Sequence, residues 1–282
     1  MFYRCCDLRS FLLLYFISIL LFAGCAHKIV KKVSEPEIYT GVLEEVKNAK
    51  IDIGDEHFEK GKFYRYRIDW LGMPVGFVTF TMDGKDVIKD RDVYVVSLRA
   101  QTNKFASKVY RIEDVYTSYI DDEKIIPLRY DVDRKEGNYR KRATTYFDHD
   151  NGIAYFENFL DKSKKTYEIP NGVLDPISAI IKAQKLNMAL GKYYVMDVAN
   201  NEEIYKIHAC VEKRENLNVE NMGNFEAYYI APYAVLKGER VKKGTVSGYI
   251  STGQNKFLLC AEVKAPLFTK LRATVIEIDK LR

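Results

Sequence analysis

The chain has 282 residues, enough for one large domain or two ordinary ones at about 150 residues each. A content of 47% hydrophobic and 29% charged residues with only 7 prolines excludes collagenous, disordered and multi-span membrane classes. The net charge of +5 comes from 44 basic and 39 acidic residues mixed along the chain, which excludes the clustered basic field of a nucleic-acid binder, while 21 tyrosines and 15 phenylalanines favour half-buried strands. The first element in chain order is an address. Arg4 and Arg9 against Asp7 precede an apolar run from Phe11 to Ala23, the n-region and h-region of a secretory signal. That run falls short of the roughly 20 residues a spanning helix needs.

The run ends in Leu21-Phe22-Ala23-Gly24-Cys25, which resembles the lipobox of bacterial lipoproteins, with Phe22 where Leu is commoner. The resemblance implies acylation of Cys25, removal of residues 1–24 as a signal peptide, and attachment to the membrane through the lipid anchor. Three acyl chains exceed the two signals that stable anchoring requires. Ala26 in place of Asp after the cysteine favours the outer membrane, with the body facing the periplasm. Residues 25–58, polar and charged, read as the lipidated N-terminus and a tether, with a weak helix over Gly41 to Ala49.

From Gly61 the pattern changes to strands punctuated by turn residues. Strands are expected at 63–68 and 75–82, then at 93–100, 109–120, 125–132, 139–147 and 153–159. Asp83-Gly84, Asp121-Asp122 and Asp150-Asn151-Gly152 supply turns between them. Asp175-Pro176 then opens a run in which Ile177, Ile180, Ile181, Gln184 and Met188 share a face, with Gly191 beyond it. An acidic N-cap, Pro at the first helical position and a following Gly predict a helix over about 176–190. Strand patterns return at 193–198, 203–213, 225–231, 244–250, 256–263 and 273–278. The fold class is mainly β, a curved antiparallel sheet or partly open β-barrel with one packed α-helix, in a single domain over 59–282.

Several separated features together resemble the bacterial exported family known as domain of unknown function 3108. They are Gly61-Lys62-Phe63-Tyr64-Arg65-Tyr66, Trp70-Leu71-Gly72 and Gly76; Asp114-Val115-Tyr116, Ser118-Tyr119-Ile120-Asp121 and Pro127; Asp175-Pro176-Ile177-Ser178-Ala179; and Ser247-Gly248-Tyr249-Ile250 with Ala265-Pro266-Leu267. Tyr249 stands where that family usually has Trp. The resemblance implies a β-rich, curved fold in an exported protein and carries no established activity.

Chemistry is sparse. Asp55-Glu56-His57-Phe58-Glu59 and Asp148-His149-Asp150 crowd acids around histidines without matching a metal-ligand spacing, and His27 lies in the tether; no metal or cofactor is implied. His208 and Cys210 share a strand face about 7 Å apart, too far for one to activate the other. Nucleophile elbows, phosphate loops and zinc-protease motifs are absent from the sequence. Cys210 and Cys260 remain after export, either as a candidate disulfide or as two separately buried thiols. Trp70 and Tyr233, with one ring from each of the pairs Tyr193-Tyr194 and Tyr228-Tyr229, are candidates to line an apolar cavity; filling an ordinary core is the alternative. Arg65, Arg67, Arg134, Arg140 and Arg142 form either a basic stripe or a solvated face. The expectation is a non-catalytic envelope lipoprotein that binds a lipid-like ligand or a partner protein. The rivals are a scaffold subunit of an envelope assembly and a hydrolase.

Overall fold

The computed structural model describes residues 43–45, 59–241, 244–265 and 269–280. Alternation of apolar and polar residues produces a succession of strands, antiparallel except for the first: β1 (Leu43–Glu45), β2 (Lys62–Trp70), β3 (Met73–Ile88), β4 (Arg91–Thr102), β5 (Glu113–Asp121), β6 (Pro127–Glu136), β7 (Tyr139–Asp148), β8 (Ile153–Asn158) and β9 (Lys164–Glu168). After helix α1 (Pro176–Lys185) come β10 (Tyr193–Asn200), β11 (Glu203–Val219), β12 (Gly223–Ile230), β13 (Tyr233–Leu236), β14 (Glu239–Arg240), β15 (Thr245–Ser251), β16 (Leu258–Ala265) and β17 (Thr269–Lys280).

Strands β2 to β9 form a meander, and β17 pairs with β2 to join it to β16, β15 and β12. The long strand β11 belongs to two sheets. Its C-terminal half pairs with β12, and its N-terminal half lies between β10 and β13. Helix α1 touches both β5 and β10, which are separated by most of the strand order, so the sheet must curl around the helix. Lys141 of β7 completes the curl by reaching Asn201 and Glu202 in the β10–β11 turn. The sheet is mainly antiparallel and not closed.

The face toward α1 is the core. Tyr64, Tyr66 and Ile68 of β2, Val78 and Phe80 of β3, and Val96, Leu98 and Ala100 of β4 are buried at every second position and join Ile177 and Ile181 of the helix in one cluster, with Ser97 buried on the other face of β4. Tyrosine is tolerated here because its hydroxyl can find an acceptor while the ring packs: Tyr66 donates to the Leu258 carbonyl at 3.0 Å and Tyr194 to that of Asn187 at 2.7 Å.

The expected elements stand with five corrections, the first being that the strand expected over 109–120 begins only at Glu113, since Ala106–Lys108 is a 3-10 turn closed by the Val109 and Tyr110 amides on the Ala106 carbonyl. At Leu43–Glu45 the chain is a short strand parallel to β10, where a weak helix was expected over Gly41 to Ala49; the rest of that segment, the signal, Cys25, His27 and His57 lie outside the described residues. Asp83-Gly84 is not a turn: β3 runs through it as a bulge, with Gly84 at φ +135°, and the chain reverses at Lys89 and Asp90, both left-handed. Strands β9, β13 and β14 were not foreseen, being short and polar or irregular in pattern. Finally, α1 ends at Lys185 because Leu186 turns to an extended backbone, sending Leu186 and Met188 into a second apolar cluster with Tyr194, Val211 and Ile250. Burying two such side chains, at about 1.5–3 kcal/mol each, outweighs one more helical turn.

Candidate functional site

A cavity of about 50 Å3 lies between α1 and the curled sheet. The strands contribute Tyr64, Tyr66, Val78, Phe80, Leu98, Ala100, Leu258 and Ala273; the helix contributes Ile180 and Gln184, one turn apart. Burial pushes the Tyr64 hydroxyl up to about 12 and that of Tyr66 higher, so both phenols stay neutral. Tyr64 packs on Phe257 at 5.9 Å between centroids, and Phe257 meets Phe225 edge-on at 5.7 Å. The result is an apolar chamber whose tyrosine rings are held by the hydrogen bond from Tyr66 and by the Phe257 stack. Such chambers stay dry and accept apolar atoms.

The rings that sequence reasoning singled out do not line this chamber. Trp70 packs at the end of β2 against the edge of the main core. Tyr193 and Tyr233 bracket His208 in the smaller sheet: the Tyr193 hydroxyl lies 2.5 Å from His208 Nδ1 and 3.0 Å from the Tyr233 hydroxyl, and Tyr233 stacks on the imidazole at 4.8 Å. Tyr194 is buried in the second cluster and Tyr228 packs against it, while Tyr229 pairs with Tyr249 at 5.1 Å. The division of β11 between two sheets is the reason, since it separates rings that the sequence places near one another. Alternation does send Tyr193 and Tyr194 to different environments, as a strand requires.

The other candidates resolve locally. Cys210 and Cys260 are free thiols on β11 and β16, and burial raises both above the ordinary thiol range, the opposite of nucleophile activation. The ring nitrogen of His208 meets Tyr193, and burial lowers its basicity. His149 Nε2 lies 2.8 Å from the Pro127 carbonyl and its ring stacks on Phe147, while Asp148 caps Asn151 and Asp150 pairs with Arg91 at 2.8 Å. No metal-ligating cluster occurs among the described residues. The arginines form no single stripe: Arg65 pairs with Glu277, Arg67 with Asp69 and Glu220, Arg140 with backbone carbonyls, and Arg142 with Asp133. Arg134 instead points into the core.

Around Arg134 lies a buried polar network that sequence reasoning missed. Its Nε donates to Glu136 at 2.8 Å and its guanidinium contacts Asp114, whose other oxygen accepts from the Lys135 backbone at 2.8 Å. Tyr116 donates to Asp114 at 3.1 Å. Burial, together with the neighbouring Asp114, pushes Glu136 well above the carboxylate range, against the pull of Arg134. Two residues along β5, Ser118 donates to Asp175, the N-cap of α1, and Asp175 also accepts from the backbone of Ile177 and Ser178, both at 2.8 Å. Burial raises Asp175 to about 6 despite these bonds. The separated motifs around residues 114–121 and 175–179 thus form one joint between strand and helix.

The family model described as "Protein of unknown function (DUF3108)" matches residues 65–270. A comparison with curated proteins finds no match. Among solved structures, the chain is similar to a β-barrel-like protein of domain of unknown function DUF1849 from Brucella abortus, at TM-score 0.52 and 8% identity over 78% of this chain and 97% of that one. This likeness is one of fold alone. It is also similar to a Bacteroides fragilis protein described as exported and YmcC-like in fold, at TM-score 0.34 and 8% identity over 79% of this chain and 97% of that one. A Parabacteroides distasonis protein described as a lipoprotein aligns at TM-score 0.34 and 10% identity over 78% and 95% of the respective chains.

Proposed function

We propose that this chain, which belongs to the DUF3108 family of proteins of unknown function, is a non-catalytic envelope protein that holds the apolar part of an amphiphile between α1 and the curled sheet. The reading includes a lipid anchor at Cys25 and a body in the periplasm on the outer membrane. The observation that carries it is the chamber itself, apolar on nearly every side, with Gln184 as the polar group on the helix. Its volume suits the terminal carbons of an acyl chain and not a whole lipid. The convergent acids Asp114 and Glu136, which a hydrolase would need in an open cleft, are 1% exposed each and engaged by Arg134, and this favours binding over hydrolysis.

The test is native mass spectrometry of the exported body, residues 26–282, followed by organic extraction. A retained mass that extracts as lipid is expected, and Ala100→Phe, which fills the chamber, should abolish it. A bare protein that also fails to take up a fluorescent fatty acid would overturn the reading.

A further inference from the structure

Adjacent strands alternate in direction, so the β2–β3, β4–β5, β6–β7, β8–β9 and β16–β17 connections all emerge at one rim of the sheet. Three of them are in direct contact or nearly so. The Leu71 amide donates to the Lys270 carbonyl at 3.0 Å, and Asn103 donates to the Val75 and Pro74 carbonyls at 2.9 and 2.6 Å. Most of the exposed large apolar side chains gather here, whereas Leu190, Val87, Tyr146 and Tyr155 lie elsewhere. Phe105 is 76% exposed, Val109 74%, Leu71 57% and Met73 55%, and Phe159 and Leu160 stand further along the same rim. On β3 and β4 the opposite rim offers only Val87, amid a mixture of acids (Asp83, Asp86, Asp90 and Asp92) and bases (Lys85, Lys89 and Arg91).

Charge follows the same division. The residues from Trp70 to Phe77 and from Thr102 to Ile112 include Lys104, Lys108 and Arg111 and no acid; Arg111 pairs with Glu113 at 2.6 Å and Lys270, beside the neighbouring connection, with Glu262 at 2.9 Å, which leaves Lys104 and Lys108 as the basic side chains that this part of the rim presents. A soluble surface rarely spends its most exposed large apolar side chains on adjoining turns. Apolar tips set between lysines suit an interface that is apolar below and anionic above, which is the chemistry of a bilayer with acidic headgroups.

We propose that this rim docks on an anionic membrane surface, with Phe105 and Val109 entering the acyl boundary and Lys104 and Lys108 at the headgroups. The docking orients the body, in addition to any covalent anchor. It also sets the open ends of β2, β3 and β4 against the lipid, one layer of residues (Ile68, Gly76 and Thr102) from the chamber. The docking is independent of whether that chamber holds a ligand.

The chain carries its own reporter, because its one tryptophan, Trp70, sits at this rim. The full chain is reconstituted into phosphatidylcholine vesicles with and without phosphatidylglycerol, using lipids brominated along the acyl chain, and Trp70 emission is recorded. Quenching is expected in the anionic vesicles, with less in neutral ones and less at high salt. Phe105→Ser with Val109→Ser should lower the docked population about tenfold for each side chain kept out of the interface. Both positions are largely exposed, so an unchanged urea midpoint will show that the variant folds. Absent quenching in anionic vesicles, or quenching that the double variant leaves intact, would overturn the proposal. So would cross-linking of two copies through a cysteine placed at Phe105 in the absence of quenching, since that outcome makes the rim a contact between copies.

Discussion

Replacing Asp175 by Asn isolates the cost of a buried charge at the joint between β5 and α1. The carboxyl is fully buried, and burial raises it from 3.8 to about 6 in the folded chain. An acid whose folded value lies above its unfolded one binds more protons when folded, so its contribution to stability is favourable below pH 4 and is lost as pH rises through 6. A shift of about two units at roughly 1.4 kcal/mol each puts the cost of ionisation near 3 kcal/mol at pH 8. Asn keeps the cap, accepting from Ile177 and Ser178 and donating to Ser118, which then serves as acceptor. Urea unfolding at pH 4, 6 and 8 should therefore show Asp175→Asn close to the parent at pH 4 and more stable by about 2–3 kcal/mol at pH 8. Asp175→Ala, which removes the cap and orphans the Ser118 hydroxyl, should instead lose stability at acid pH, by about 2 kcal/mol or more. If Asp175→Asn is destabilised at pH 8, the cap bonds and the helix dipole outweigh burial and the reasoning fails.

Three further perturbations follow from the core. Lys182 on α1 is only 2% exposed, no carboxylate is seen to pair with it among the described residues, and burial lowers its basicity; Lys182→Met should raise stability at neutral pH by about 1–3 kcal/mol, with the gain shrinking as pH rises toward the lysine range, read by urea midpoints. Arg134→Met leaves Asp114 and Glu136 facing each other in the core and should cost about 3–5 kcal/mol at pH 8 and less at pH 5, with Glu136→Gln in the same chain restoring part of the loss. A methyl group at Gly76 collides with the Gln101 carbonyl and comes within 3.1 Å of Thr102 Cα, so Gly76→Ala should lower thermal stability by about 1–3 kcal/mol; an unchanged melting temperature would refute the close strand approach.

What was legible in the sequence was local. The Asp175-Pro176 start of α1 and most strands of the meander could be read because capping and alternation are written in neighbouring residues. The helix end could not, since it depends on a cluster formed by Val211 and Ile250 far along the chain. Nor could the polar outer half of β11, beyond Lys213, which is held by pairing with β12 and not by burial. The chamber follows from how far the sheet curls, which no periodicity encodes. Tyr64 and Tyr66 therefore read as ordinary strand residues, while Tyr193, Tyr228 and Tyr233 looked like lining. Arg134 and Glu136 sit in Asp131-Val132-Asp133-Arg134-Lys135-Glu136, which reads as a solvated strand; only the register opposite Asp114 reveals a buried network.

The size of any ligand in the chamber is governed by how α1 is held. Its N-terminus is fixed by Asp175 on Ser118 and by Leu174, whose backbone pairs with Asp197 and Ala199 of β10. Its other end is fixed by Leu186 and Met188 in the second cluster and by the bond from Tyr194 to Asn187. Lifting the C-terminal end exposes two large apolar side chains, at a cost of roughly 3–6 kcal/mol. At about 0.8 kcal/mol per buried methylene, a chain must bury on the order of four to eight methylenes before the opening is repaid. Short fatty acids should therefore bind weakly, and affinity should rise steeply once the chain exceeds that length. Leu186→Ala with Met188→Ala lowers the cost of opening, so it should shift the threshold to shorter chains while destabilising the protein itself by several kcal/mol. Titration of fatty acids of graded length against both proteins, followed by displacement of a fluorescent analogue, reads the threshold directly. A threshold that is the same in both proteins would mean that α1 does not move to admit the ligand.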